Sequence, residues 1–287
     1  MCDDDIHQGL VHDPSVSRRA FGLMGVAAVG VATSAYGQDK VMEMDVSVKT
    51  PDGTADAALF HPTAKGTYPG VLIWTDILGL RPVFRDMGRR LAAEGYVVLV
   101  PNPYYRTAKA PVMQGPMDFN KPEDRAKLTA LRGTLTNEGI DKDAQAYVAF
   151  LDAQPMTSKK ARIGVQGYCM GGPLTLRTAA KAADRVGAGA SFHGGGLVTA
   201  ELDSPHLLIP RMKGRYLIAV ADNDDQRAPD DKDKLRAAFD AAKVPAKIEV
   251  YKGANHGWCV AGSQAYNEPA AEKAWAELLA LYKQALV

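Results

Sequence analysis

The chain has 287 residues, 46% of them hydrophobic and 23% charged, and its 34 Lys and Arg residues nearly balance 33 Asp and Glu residues. This composition is typical of a globular protein with a sizeable core. Because the charges balance and no basic run is interleaved with aromatic residues, nothing indicates nucleic acid or an anionic membrane as a partner. The three cysteines, Cys2, Cys169 and Cys259, are too few and odd in number for a disulfide framework.

The first 37 residues have the pattern of a twin-arginine export signal. Arg18 and Arg19 precede a moderately apolar stretch over residues 21–32, and the small residues that follow offer a cleavage site after residue 37. The apolar stretch is too short and too rich in Gly and Ala to span a membrane stably. The sequence therefore predicts export by the twin-arginine machinery into a bacterial periplasm, with no stable membrane anchor. A short buried helix after an irregular tail is the alternative.

After the leader, predicted strands alternate with predicted amphipathic helices. The segments typical of strands, some of which run on into a turn or a loop, are VMEMDVSVKT, PDGTADAALFHP, GVLIWTD, YVVLVPNPYY, ARIGVQG, VGAGASFHGGG, GRYLIAVADNDD and AKIEVYKGANHGW. The segments typical of helices are VFRDMGRRLAAEG, KPEDRAKLTALRGTL, NEGIDKDAQAYVAFLDAQ, GGPLTLRTAAKAAD, APDDKDKLRAAFDAAK and EPAAEKAWAELLALYKQAL. This alternation predicts right-handed crossovers, a mostly parallel sheet and one α/β domain over residues 40–287.

A cysteine stands between crowded glycines where one buried strand meets a helix, in the segment GVQGYCMGG. The pattern Gly167-x-Cys169-x-Gly171 is that of a nucleophile elbow, which usually carries serine. A nucleophile in so tight a turn needs neighbours without Cβ atoms, and the following helix N-terminus favours negative charge on the thiol. Cys169 is therefore the candidate nucleophile, and a buried structural cysteine is the alternative.

A nucleophile of this kind needs a histidine base that an acid orients, in the chain order nucleophile, acid, histidine. His256 follows the last predicted strand and is the candidate base, whereas we interpret His193 as a loop or packing residue and His206 as a surface residue.

For the acid, Asp222, Asp224 and Asp225 compete at one strand end, where each could also be a solvated carboxylate or a helix cap. Counting from the strand end favours Asp224, and counting back from Pro229 gives Asp225. We favour Asp224.

The loop after the strand GVLIW begins with Asp76 and Ile77. The amides of Ile77 and Met170 are the expected oxyanion hole. A carboxylate at Asp76 would disfavour a thiolate at Cys169 and could accept a hydrogen bond from the neutral thiol. A cap of the following helix is the other interpretation of Asp76.

The segment GYCMGG, residues 167–172, resembles the elbow of the dienelactone hydrolase family, and TDILGLRPVFRDMGRRLAAEGYVVLVPNPY and SFHGGGL also resemble family segments. The resemblance runs from Asp45 to the last helix. It implies an α/β-hydrolase fold, a triad of Cys169, Asp224 and His256, and an oxyanion hole at Ile77 and Met170.

The resemblance also implies hydrolysis of a lactone or small ester through a thioester, without a metal or an organic cofactor. In the family a glutamate usually stands where this chain has Asp76, and it hydrogen-bonds the resting thiol until substrate displaces it. Asp76 is one methylene shorter than that glutamate.

Residues outside the triad suggest where the substrate binds. Tyr105 lies in a loop over residues 103–120 that is expected to form the rim of the pocket, and Arg81 could meet a substrate carboxylate. Two other functions remain open from the sequence. One is a non-catalytic periplasmic binding protein that keeps the scaffold, and the other is a thiol redox protein that uses Cys169 with Cys259.

Overall fold

The computed structural model describes residues 40–113, 115, 117–118 and 120–286. The predicted leader, residues 1–37, lies outside the described residues. Within the described ranges, none of the helices combines the length and the apolar character needed to cross a bilayer.

Eight strands form one sheet in the order β1-β2-β4-β3-β5-β6-β7-β8. Their bounds are β1 Val41–Thr50, β2 Gly53–Pro62, β3 Gly70–Trp74, β4 Val97–Pro101, β5 Ile163–Tyr168, β6 Val186–Phe192, β7 Arg215–Ala221 and β8 Ala246–Tyr251. All strands from β3 to β8 run parallel, and β2 is antiparallel to both of its neighbours. The predicted mostly parallel sheet is therefore confirmed.

Helices cover both faces of the sheet. Their bounds are α1 Pro82–Ala93, α2 Pro122–Gly133, α3 Asn137–Ala153, α4 Gly171–Lys181, α5 Asp222–Arg227, α6 Asp231–Ala242 and α7 Glu268–Ala285. Side chains of α2, α3, α4 and α6 pack on one face, and side chains of α1 and α7 pack on the other. The central strands β3, β4, β5 and β6 are buried along their whole length, as their continuous apolar sequences predict.

Two segments form helices that were not predicted. The acidic segment after β7, expected at the end of that strand, forms the short helix α5, in which three carboxylates occupy the first turn. Carboxylates there are favoured by the partial positive charge of the helix N-terminus. The connection after β6 contains a 3₁₀ helix, Pro205–Arg211, which packs on α4 and α6.

The strand order places the candidate site. The chain continues from β3 to β4, which lies on one side of β3, whereas β5 lies on the other side. The strand order therefore reverses direction between β3 and β5. Crevices at such a switch point, beyond the carboxyl ends of the strands, are where open α/β sheets bind ligands. The loop after β3 and the turn after β5 meet at this point.

Candidate active site

Cys169 follows β5 in a strained turn. Its φ angle is 53°, in the left-handed region that residues other than glycine rarely adopt. A Cβ atom on Gly167 would lie 2.0 Å from the carbonyl oxygen of Gly171, and one on Gly171 would lie 2.5 Å from the carbonyl oxygen of Trp74. Both glycines are therefore required for α4 to begin directly beneath the cysteine.

The candidate base, His256, is hydrogen-bonded to one of the three candidate acids. His256 Nδ1 is 2.7 Å from Asp224 Oδ2, and the His256 amide donates to Asn223 Oδ1 at 2.8 Å. Burial lowers the pKa of His256, but attraction to the thiolate form of Cys169 and the hydrogen bond to Asp224 raise it to about 10. His256 Nε2 makes no hydrogen bond of good geometry within the described structure. This nitrogen, the one not bound to Asp224, is therefore unpaired in the described resting site.

The other two acids of α5 have different partners. Asp225 forms an ion pair with Lys232 at 2.7 Å, and Asp222 accepts from Lys252 at 3.0 Å and from the Gly253 amide at 2.9 Å. Of the three candidate acids, Asp224 is therefore the one whose carboxylate contacts His256 in the described structure.

The two amides predicted as the oxyanion hole belong to the loop after β3 and to the residue that follows Cys169. The N–H groups of Ile77 and Met170 donate to no acceptor among the residues described. The buried Tyr104 holds both of these residues: its hydroxyl donates to the Ile77 carbonyl at 2.7 Å and lies 3.3 Å from Met170 Sδ. Two fixed, unpaired amides beside a nucleophile can stabilise an oxyanion.

Asp76 differs from its expected place beside the thiol. It is fully buried and binds the guanidinium of Arg81 through both oxygens, at 2.6 and 2.7 Å, and it accepts from the Leu78 amide at 3.0 Å. It makes no hydrogen bond to Cys169 in the described structure. The reason is a tight turn in which Gly79, at φ 75°, donates to the Asp76 carbonyl and returns the chain so that Arg81 reaches the carboxylate.

The two predicted substrate-binding residues are engaged elsewhere. Arg81 is held by Asp76 and lies over the ring of Phe84, so it presents no free guanidinium to a carboxylate. The hydroxyl of Tyr105 pairs with Thr50 at 2.6 Å and donates to Asp143 at 2.8 Å, which ties this ring to the β1–β2 hairpin and to α3. In this state neither residue fits the expected contact with substrate.

Sequence analysis missed His193, interpreted there as a loop or packing residue. The structure buries it, with 1% of its surface exposed, and its Nδ1 accepts from the Cys169 amide at 3.2 Å. A polar residue directly after β6, the strand next to the elbow strand, was the signal that could have revealed it. His206 is half-buried and its Nδ1 lies 2.8 Å from Ser204 Oγ.

Cys169 and Cys259 are both free thiols. Cys169 belongs to the core on the α4 face of the sheet, whereas Cys259 packs against the core on the α1 and α7 face. The sheet therefore separates them, which gives no support to a redox pair.

Comparison with known proteins identifies relatives over most of the chain. The sequence model of the dienelactone hydrolase family matches residues 55–286. A Synechocystis protein provisionally named a carboxymethylenebutenolidase is 28% identical over 231 residues, or 79% of this chain and 91% of that protein. The carboxymethylenebutenolidase of Pseudomonas putida is 26% identical over 227 residues, or 79% of this chain and 90% of that enzyme.

The fold is also shared with solved structures. The crystal structure of a provisionally named dienelactone hydrolase from Klebsiella pneumoniae has a TM-score of 0.73 to this chain at 23% identity. The match covers 85% of this chain and 99% of that one. The predicted α/β-hydrolase fold is confirmed.

Removing the Tyr104 hydroxyl tests whether its hydrogen bond to the Ile77 carbonyl stabilises the loop after β3. Tyr104→Phe deprives the Ile77 carbonyl of a buried donor, so we expect the free energy of unfolding in urea to fall by about 1–2 kcal/mol. Tyr147→Phe is the matched control, because the Tyr147 hydroxyl is also buried but has no hydrogen-bond partner in the described structure. That control should cost nothing; equal losses in the two variants would contradict the role given to Tyr104.

Proposed function

The chain belongs to the dienelactone hydrolase family, and from this membership and the site geometry we propose that it hydrolyses a lactone or small carboxylic ester through a thioester on Cys169. The observation that carries the proposal is the hydrogen-bonded pair of Asp224 and His256 close to a cysteine that stands in a strained turn beside two unpaired amides. The family is one of hydrolases, so a non-catalytic binding protein has no support.

The acylating state is the ion pair of a Cys169 thiolate and a protonated His256, which forms when the thiol gives its proton to His256 Nε2. The thiolate attacks the carbonyl carbon, a C–S bond forms, and the carbonyl electron pair moves to oxygen. The amides of Ile77 and Met170 donate to this oxyanion. When it collapses, the C–O bond to the alkoxide breaks and His256 returns its proton to that leaving oxygen. In a lactone the new hydroxyl stays attached to the acyl group.

Deacylation repeats these steps with water. His256 takes a proton from the water while the oxygen attacks the thioester carbonyl, and the same two amides hold the second oxyanion. The C–S bond then breaks, the thiolate leaves, and the product is a carboxylic acid. Asp224 accepts from His256 Nδ1 throughout, which fixes the ring and stabilises the imidazolium in both halves of the cycle.

The substrate class follows from the site and the relatives together. Cys169 has only 8% of its surface exposed, which favours a compact acyl group over a long one. The Pseudomonas putida relative is named for its action on a butenolide, an unsaturated lactone. We therefore place lactones and short esters first among candidate substrates.

A matched pair of acids tests the catalytic assignment. We expect the wild-type protein to hydrolyse p-nitrophenyl acetate or a dienelactone, and Cys169→Ala to react no faster than buffer. Asp224→Asn should lower kcat/KM by about 100-fold or more, because His256 loses its orienting charge. Asp225→Asn removes ion pairs with Lys232 and Lys252 but no contact with His256, and it should stay within about threefold of wild type. Equal losses at the two positions, or full activity without Cys169, would contradict the proposal.

We also propose that the leader directs export of the folded protein to the periplasm. The support is the arginine pair followed by a short, Gly- and Ala-rich apolar stretch. Replacing Arg18 and Arg19 together by lysine should leave the protein in the cytoplasmic fraction of an expressing bacterium. Unchanged recovery from the periplasmic fraction would exclude twin-arginine export.

A further inference from the structure

The structure assigns a positioning role to His193: this second histidine holds the backbone of Cys169 and the ring of His256 at their working separation. The inference rests on the proposed function in taking Cys169 as nucleophile and His256 as base. His193 itself neither touches the reacting carbonyl nor carries a proton between groups.

The backbone at His193 is built to turn its ring toward the elbow. His193 follows β6 directly and has φ 41°, so the adjacent strands β5 and β6 are each followed by a left-handed residue other than glycine. A Cβ atom on Gly172 would lie 2.6 Å from Gly194 Cα, and one on Gly194 would lie 2.3 Å from Ser191 Oγ. The two turns therefore pack backbone against backbone, which a strained conformation needs in order to persist.

The ring of His193 fixes the nucleophile through its backbone amide. The Cys169 N–H is shared between the Phe192 carbonyl at 3.1 Å and His193 Nδ1 at 3.2 Å. Because Nδ1 accepts, the proton of this ring is on Nε2, and that N–H is buried without a partner in the described structure. The bond to Cys169 is thus the polar contact that sets the orientation of the ring.

The same ring lies against the base. The centroids of His193 and His256 are 4.9 Å apart with an interplanar angle of 60°, and Trp258 lies at 5.0 Å and 70° on His193. Trp258 is itself stacked on Tyr251 at 5.0 Å. Asp224 holds one nitrogen of His256 but leaves the ring free to tilt, and the contact with His193 limits that tilt. His193 therefore spans the gap between nucleophile and base.

His193 suits this place because it stays neutral. Burial and then the neighbouring His256 hold the pKa of His193 well below 6.5. The groups that face it are Cys169 and Tyr168 from the elbow, His256 and Trp258 from the loop after β8, and Asp224 behind His256. No carboxylate among the described residues pairs with His193. A charge here would repel the imidazolium that His256 must form.

Replacing His193 by Asn or by Gln distinguishes its role as a hydrogen-bond acceptor from a role in packing alone. His193→Asn keeps an acceptor oxygen near the place of Nδ1 and tolerates a left-handed φ, whereas His193→Gln moves its amide group to the place of Nε2. The main measurement is the rate of Cys169 alkylation by iodoacetamide from pH 6 to pH 9, followed on the Cys169 peptide by mass spectrometry. Cys2 and Cys259 then do not interfere. Melting temperature, and kcat and KM for p-nitrophenyl acetate, are measured on the same samples.

We expect alkylation of His193→Asn to stay within about threefold of wild type, since one hydrogen bond is only weakened. His193→Gln should fall by about tenfold or more near neutral pH, because the thiol loses its fixed relation to the base. Its kcat should fall with little change in KM. His206→Asn, at a histidine remote from these contacts, is the control and should leave every rate unchanged. If His193→Gln does not fold, His193→Ala replaces it with the same expectation.

Two outcomes would overturn the inference. The first is a folded Gln or Ala variant that alkylates like wild type across the pH range. The second is an equal loss of alkylation rate in His193→Asn and in the Gln or Ala variant, with the melting temperature unchanged in both. Because alkylation of Cys169 requires no ester, the positioning role of His193 is tested independently of the proposed hydrolysis. If no ester is hydrolysed but the variants differ as expected, the proposed function is wrong and the positioning role stands.

Discussion

The left-handed backbone of Cys169 is the constraint on which the rest of the site depends. Such a conformation costs about 1–3 kcal/mol and persists only where the surroundings impose it. Here they do so through close packing: Gly171 lies against the end of β3, and Gly172 lies against Gly194 after β6. The turn therefore joins three strand ends at the switch point of the sheet. The loop after β3, the N-terminus of α4 and the histidine after β6 thereby meet at one strained residue.

Two carboxylates near this turn have different partners. Asp224 accepts from His256 and favours a positive charge on that ring, which the proposed reaction requires. Asp76 is fully buried and bound by Arg81 through two hydrogen bonds, an arrangement that compensates the cost of burying its charge. The ion pair lies in the same loop as Ile77. By holding this loop in one conformation, it also fixes the position of the Ile77 amide. A carboxylate occupied in this way is not free to hold the thiol.

The parts of the fold and site that follow from local pattern could be predicted. Strand and helix alternation gave the parallel sheet, and the glycines around Cys169 gave the elbow, because both are dictated within a few residues. The contacts that sequence analysis missed join distant residues. His193 reaches Cys169 only because Gly172 and Gly194 pack together, and the Tyr105 hydroxyl finds Thr50 and Asp143 across the fold. The Asp76–Arg81 pair depends on a turn geometry that the five-residue spacing does not reveal.

The central claim is that Cys169 carries the acyl group during turnover. The most direct measurement is mass spectrometry of the protein after mixing with p-nitrophenyl acetate and quenching in acid within the first turnovers. The account predicts a mass increase of one acetyl group that maps to the peptide of Cys169 and disappears when the reaction runs to completion. An acetyl group that maps to another residue, or hydrolysis of the ester with no acylated protein and no dependence on Cys169, would contradict it.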